Sequence, residues 1–243
     1  MSAHDSPPAG RRAVVTGASS GIGLATVRRL VALGADVTGV ARRAEAITVE
    51  NGGGRLRPLP LDVSDPAAVA AAGLGDDGPL DLLVCAAGTN VPNRRLEQLD
   101  TETWNTLVDT NLTGCFTVVS ACLPALRAAR GLVILVGSVS GLWPDQSGPG
   151  YQATKAGLLA FARGAGLEEQ EHGVRFSVVE PGLVDTPILD RRPQPPSAAD
   201  RERALRPDDV AQLIAFLATL PERVNVPEVC VVPSALQVAG RTW

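Results

Sequence analysis

The sequence predicts an α/β fold, a doubly wound parallel sheet of about seven strands with helices on both faces, in one domain over residues 12–243. Three observations carry this expectation. Short apolar runs rich in β-branched residues alternate with longer stretches of helical spacing, the mark of successive strand, helix, strand units. A glycine cluster directly follows the first apolar run and opens a helical stretch, where open parallel sheets place ligands. The 243 residues, 45% of them hydrophobic, suffice for one sizeable core without disulfide or metal support.

The elements follow in order. The N-terminus is polar and proline-containing, with no apolar segment after a basic one, so residues 1–11 read as a flexible tail and not a secretory signal. Arg12 to Thr16 reads as strand one, Ile22 to Leu33 as a helix, Asp36 to Val40 as strand two and Arg55 to Leu61 as strand three. Leu80 to Ala86 is strand four, its nearly continuous apolar character suiting burial on both faces. Thr101 to Ala121 is a long helix, Gly131 to Val136 strand five, Tyr151 to Glu171 a second long helix and Arg175 to Val179 strand six. Pro207 to Thr219 is helical and opens with proline, whose missing N–H is harmless in a first turn; Glu228 to Val232 is strand seven. Leu189 to Asp200, with Pro193, Pro195 and Pro196 among arginines, reads as a loop, and a substrate lid is expected around residues 183–206.

Charge and composition exclude several function classes. A formal charge of −4 without any basic run gives no footprint for nucleic acid. No stretch approaches the ~18 consecutive apolar residues of a membrane span, so a cytoplasmic protein is expected. Cys85, Cys115, Cys122 and Cys230 lie in apolar or helical stretches with no C-x-x-C pair, and read as buried free thiols. His4 and His172 read as exposed, so neither a metal site nor a histidine triad is expected. Of the 22 basic residues only Lys155 is lysine, and Tyr151 is the only tyrosine.

The cluster Gly17-Ala18-Ser19-Ser20-Gly21-Ile22-Gly23 has G-x-x-x-G-x-G spacing at the first strand-to-helix turn. Glycines there let the backbone approach a pyrophosphate, and the helix start offers N–H groups and partial positive charge. At the end of strand two a carboxylate would bind the ribose hydroxyls of NAD, whereas arginine would pair with the 2′-phosphate of NADP. The chain has Ala41-Arg42-Arg43 and no acid, so Arg42 points to NADP(H).

Tyr151 and Lys155 stand four apart and share one helix face. A phenol near pKa 10 is too weak an acid for work near neutrality, and an adjacent ammonium is expected to lower it by about 1–3 units. Such offsets often arise by accident. Here both residues are the only ones of their kind, and arginine stands wherever any cation would serve.

Together with these features, Asp62-Val63, Ala86-Ala87-Gly88, Asn111, Ser138, Tyr151-x-x-x-Lys155 and Pro181-Gly182 resemble the short-chain dehydrogenase/reductase family over about residues 12 to 235. That resemblance implies a Rossmann-type fold. It implies that Ser138 binds the substrate carbonyl, Tyr151 exchanges a proton with its oxygen, Lys155 also binds the nicotinamide ribose, and Asn111 holds a proton-relaying water. Gly17, Ser19, Ser20, Ile22 and Gly23 would hold the pyrophosphate, Asp62 and Val63 the adenine, and Pro181, Gly182, Val184 and Thr186 the nicotinamide end, with Ala87 and Gly88 also binding the cofactor. The chain departs from the family's common Asn-Asn-Ala-Gly at Cys85-Ala86, so no side-chain hydrogen bond is carried over there. Ala44 to Gly54 is a poor helix former and is expected to leave the adenine edge open. The stretch Val232-Pro233-Ser234-Ala235-Leu236-Gln237 replaces the frequent Asp-Gly-Gly and looks like the branch containing 3-hydroxy acid dehydrogenases.

The expected function is an NADP(H)-dependent oxidoreductase interconverting a ketone and a secondary alcohol, with reduction the expected direction. The alternative is a non-catalytic NADP-sensing scaffold on the same fold, whose discriminating feature would be loss of the Tyr151 and Lys155 pair. The pocket is expected to be lined by Val139, Ser140, Leu142, Trp143, residues 89–93, Leu183 and the lid. Arg94, Arg95, Arg191 and Arg192 lie near enough in sequence to suggest an anionic group on a small-molecule substrate. The resemblance further implies a homodimer or homotetramer built from the two long helices.

Overall fold

In the computed structural model, which describes residues 9–50 and 52–235, seven parallel strands form one sheet in the order β3-β2-β1-β4-β5-β6-β7. The strands are β1 (Arg12–Thr16), β2 (Asp36–Ala41), β3 (Arg55–Pro60), β4 (Leu82–Cys85), β5 (Leu132–Val136), β6 (Arg175–Pro181) and β7 (Glu228–Val231). The winding reverses between β1 and β4, where Thr16 pairs with Val40 on one side and Cys85 on the other. Their C-terminal ends open the crevice in which Rossmann-type sheets bind ligands.

Two cores form because a strand sends alternate side chains to opposite faces. Leu83, Cys85, Val133 and Leu135 face one core with Val118, Cys122 and Leu126. Leu82, Val84, Ile134 and Val136 face the other, against Val27, Leu30, Val210 and Ile214. The unbroken apolar runs of β4 and β5 therefore match burial on both faces. Helices α1 (Gly21–Ala32) and α7 (Pro207–Thr219) pack together on the second face. Helices α4 (Gly114–Ala129) and α5 (Pro149–Glu169) cover the first.

Several boundaries differ from expectation. The long helix begins as α3 (Thr101–Val108), passes through a π turn at Asp109–Thr113 and continues as α4 to Ala129, well beyond Ala121. Pro124 does not end it, because the buried contacts of Ala125 and Leu126 outweigh the lost hydrogen bond. By length and composition Thr101–Ala129 could cross a membrane, although polar residues interrupt it as the sequence showed; its Val118, Val119, Cys122 and Leu126 pack on the sheet. Two short helices were not anticipated. Helix α2 (Pro66–Ala71) starts at Asp65, whose carboxylate accepts the N–H groups of Ala67 and Ala68 at 3.0 Å. Helix α6 (Ala198–Arg203) is capped by Ser197 inside the expected loop, which also holds a 3-10 turn at Pro187–Arg191. Between Ala44 and Gly54 only a single 3-10 turn forms among the described residues, consistent with its glycines. Cys85, Cys115 and Cys122 are buried but Cys230 is exposed, since β7 closes the sheet edge. His172 is exposed as expected; His4, most of the 1–11 tail, Leu236 and Gln237 lie outside the described residues.

Candidate active site

The turn after β1 is shaped by close backbone approach. Thr16 Oγ1 accepts the N–H groups of both Ala86 and Ala87 at 3.1 Å, tying the β1 end to the loop after β4. Gly17 adopts φ 67°, and a Cβ there would lie 2.7 Å from the Ala86 carbonyl oxygen, so both conformation and space require glycine. A side chain at Gly23 would collide with the Gly17 carbonyl. Ser20 stands at the start of α1 without capping it, and the first turn holds no acid. An uncapped helix start approached by bare backbone suits a pyrophosphate.

A cavity of about 560 Å³ runs from this turn across the sheet's C-terminal edge. Every residue named above for the nucleotide lines it, from Arg42 and Asp62 at one end to Val184 and Thr186 at the other. Arg42 is exposed, with Nη1 3.9 Å from Asp62 Oδ2. Burial raises the Asp62 pKa, but hydrogen bonds from Ser64 N and Oγ, at 3.0 and 2.7 Å, and the Arg42 charge outweigh it and hold it below the ordinary value. The glycine loop and uncapped helix start fit the pyrophosphate of a dinucleotide.

Ser138, Tyr151 and Lys155 meet at the other end. Ser138 follows β5; its Oγ lies 3.1 Å from Ser140 Oγ and its N–H donates to Glu180 Oε2. Lys155 is 4% exposed, donates from Nζ to the Val136 carbonyl at 2.8 Å and sits 5.6 Å from the Tyr151 ring centroid. Burial pulls its pKa down to about 8, against the opposing charge of Glu180. The expected lowering of the phenol is not what this geometry gives. Burial pushes Tyr151 up to about 12, a hydrogen bond with Ser138 and the charge of Arg192 pull it down, and Asp145 and Glu180 push it up. The helical offset is as expected, but desolvation by the surrounding fold, not the lysine, sets the direction of the phenol's shift.

Asn111 lies beneath the cavity and not among its lining residues. The π turn places it at 1% exposure, where Oδ1 accepts Thr89 N at 2.7 Å and Nδ2 donates to Thr89 O at 3.0 Å and Thr154 Oγ1 at 3.1 Å. Of the expected pocket, Val139, Ser140, Trp143 and Leu183 line the cavity, as do Thr89 and Asn90, whereas Val91, Pro92 and Asn93 do not. Leu142 instead packs against the core. Arg94, Arg191 and Arg192 face the cavity; Arg95 turns to solvent beside Glu97.

Sequence reasoning missed Asp145 and Glu180. Asp145 Oδ2 accepts from Ser140 Oγ at 2.5 Å, extending the chain Ser138, Ser140, Asp145. Glu180 is wholly buried, its Oε1 has no partner among the described residues, and burial raises it to about 7. Its place directly before Pro181-Gly182 was the available signal. The thiols do not add a nucleophile: burial pushes Cys122 up to about 12, and a hydrogen bond with Cys115 and burial raise Cys85.

Known proteins share this arrangement. The family model described as short chain dehydrogenase matches residues 11–196. The chain is 34% identical over 237 residues to a serine 3-dehydrogenase of Rhizobium radiobacter, spanning 93% of this chain and 95% of that protein. It is 36% identical over 222 residues to a cis-4-hydroxycyclohexanecarboxylate dehydrogenase of Sinomonas cyclohexanicum, spanning 86% and 89%. The fold is similar to an alcohol dehydrogenase from the archaeon Thermococcus sibiricus solved with 5-hydroxy-NADP, at a TM-score of 0.83 and 28% identity, spanning 94% and 98%. With an oxidoreductase model matching most of the chain and a nicotinamide-binding fold beneath it, the protein belongs to the short-chain dehydrogenase family.

Proposed function

We propose that the protein is an NADP(H)-dependent oxidoreductase interconverting a ketone and a secondary alcohol, with Tyr151 as general acid and base. The observation that carries this reading is one continuous cavity joining the glycine loop and Arg42 to Ser138, Tyr151 and Lys155. A bound nicotinamide would supply or accept the hydride. The Ser138 hydroxyl would hold the substrate oxygen, and Tyr151 would give its proton to that oxygen in reduction or take it in oxidation. Lys155, fixed by the Val136 carbonyl, would stabilise the phenolate formed when the proton leaves. Asn111, bonded to Thr89 and Thr154, would set the shape of the site floor and the path of a relaying water. Arg42 and the absence of an acid at the end of β2 favour NADP over NAD.

The test is NADPH consumption across a carbonyl panel, with Tyr151→Phe as control. Turnover is expected in the parent and absent in the variant, while NADPH binding followed by fluorescence is retained. Undiminished turnover in Tyr151→Phe would move the proton donor elsewhere.

A further inference from the structure

Arg94, Arg191 and Arg192 all face the substrate end of the cavity. Arg94 is 5% exposed; its Nε donates to the Val91 carbonyl and one Nη to the Arg191 carbonyl, each at 2.9 Å, holding the 187–192 segment over the site. Arg191 reaches back to Thr89 Oγ1 at 2.7 Å. The Arg192 guanidinium has neither a hydrogen bond nor an ion pair among the described residues, although it is only half-exposed and lies near the Asp145 carboxylate and the Tyr151 phenol.

The neighbouring arginines are paired. Arg201 bonds Asp185 at 3.0 Å and also Asp190, and Arg206 bonds Asp185 at 3.1 Å. The acid facing Arg94 and Arg192 is Asp145, whose oxygens already accept from Ser140 Oγ at 2.5 Å, Ser147 N at 2.8 Å and Ser147 Oγ at 3.2 Å. Burial disfavours both guanidiniums, and Arg94 is further opposed by the charge of Arg192. With Arg191, which bonds only the neutral Thr89 hydroxyl, three cations face one carboxylate and positive charge is left unmatched beside the Tyr151 phenol. A withdrawn, unpaired charge works against folding, and a ligand that carries the opposite charge accounts for its presence.

We propose that Arg192, with Arg94 behind it, binds a carboxylate on the substrate, so that the substrate is a hydroxy acid or the matching keto acid and not a neutral alcohol. This rests on the Tyr151-centred reading of the site, which fixes where the reacting carbon lies. Arg192 is the one of the three guanidiniums without a hydrogen bond among the described residues, and its planar fork donates to both oxygens of a carboxylate at once.

Calorimetric titration of the NADP+-saturated protein tests the assignment. The probes are short straight-chain and cyclic hydroxy acids, 3-hydroxybutyrate among them, each paired with its own neutral amide and with the corresponding hydroxyalkyl phosphate. At least one acid should bind about 10- to 100-fold more tightly than its amide, the range for a charge-assisted hydrogen bond. Arg192→Gln should remove that preference, Arg192→Lys should restore part of it, and Tyr151→Phe should keep it. Equal binding of acids and amides, no acid binding, a preference surviving in Arg192→Gln, or tighter binding of the phosphates would each overturn the proposal. Turnover of neutral ketones without any acid preference refutes the carboxylate site and spares the oxidoreductase reading. An acid preference lost in Arg192→Gln, without hydride transfer to any carbonyl, upholds the anion site and refutes the oxidoreductase reading.

Discussion

Glu180 offers a quantitative prediction about stability. It is wholly buried, one oxygen accepts the Ser138 N–H, the other has no partner among the described residues, and its carboxyl is raised from an ordinary 4.5 to about 7 by burial. A group whose folded pKa lies above its unfolded one contributes stability that is complete below the unfolded value and is lost as pH rises through the folded value. For Glu180 the loss falls between about pH 4.5 and pH 7 and amounts to about 3 kcal/mol. Lys155 acts in the opposite sense in a different window: its lowered pKa, about 8, makes its contribution complete above the ordinary 10.5 and lost as pH falls through 8. Glu180→Gln keeps the oxygen that receives the Ser138 N–H but cannot ionise. Urea unfolding at a series of pH values from 5 to 8 should show the parent losing about 2–4 kcal/mol relative to the variant across that range. Parallel stability curves for parent and variant would refute the reasoning and mean that Glu180 is ionised, with its partner supplied by the protein.

Three further outcomes are expected. Arg42→Ala should weaken NADPH binding about 10-fold or more while changing NADH little, measured by fluorescence titration, because only the 2′-phosphate uses the guanidinium; equal effects on both would remove the cofactor assignment. Thr16→Val leaves the Ala86 and Ala87 N–H groups without their acceptor and should cost about 1–3 kcal/mol in chemical unfolding, with weaker cofactor binding because the β1 and β4 ends are no longer tied. Phe116 on α4 and Leu167 on α5 are 52% and 69% exposed, so Phe116→Ser with Leu167→Ser should reduce a homodimer or homotetramer to a smaller species in light scattering; an unchanged mass would place the interface elsewhere.

Sequence pattern reveals what is local and periodic. The β4 and β5 runs are buried on both faces and therefore unbroken, so they are readable without the fold. The Tyr151 and Lys155 offset is readable because a helix fixes the geometry of i and i+4. Helices α2 and α6 were missed because six residues are too few for periodicity, although Asp65-Pro66 and Ser197-x-x-Asp200 were readable caps. Glu180 was invisible for a different reason. A glutamate in a strand ordinarily faces water, and its burial depends on Gly137, beyond the end of β5, where any side chain would collide with the carboxylate. The phenol's rise to about 12 likewise comes from walls supplied by distant segments, not from the lysine four residues away.

The π turn at Asp109–Thr113 has a consequence for anyone redesigning this helix. Gly114 N–H reaches back five residues to the Asp109 carbonyl, so one residue more than a regular turn is accommodated. Each extra residue advances the helical phase by about 100°. Leu107 before the turn and Val118 after it are both buried, and Asn111 is the buried residue within the turn itself. Deleting a single residue from it should restore ideal winding at the expense of the amide that bonds Thr89 and Thr154, separating a more regular helix from a working site floor.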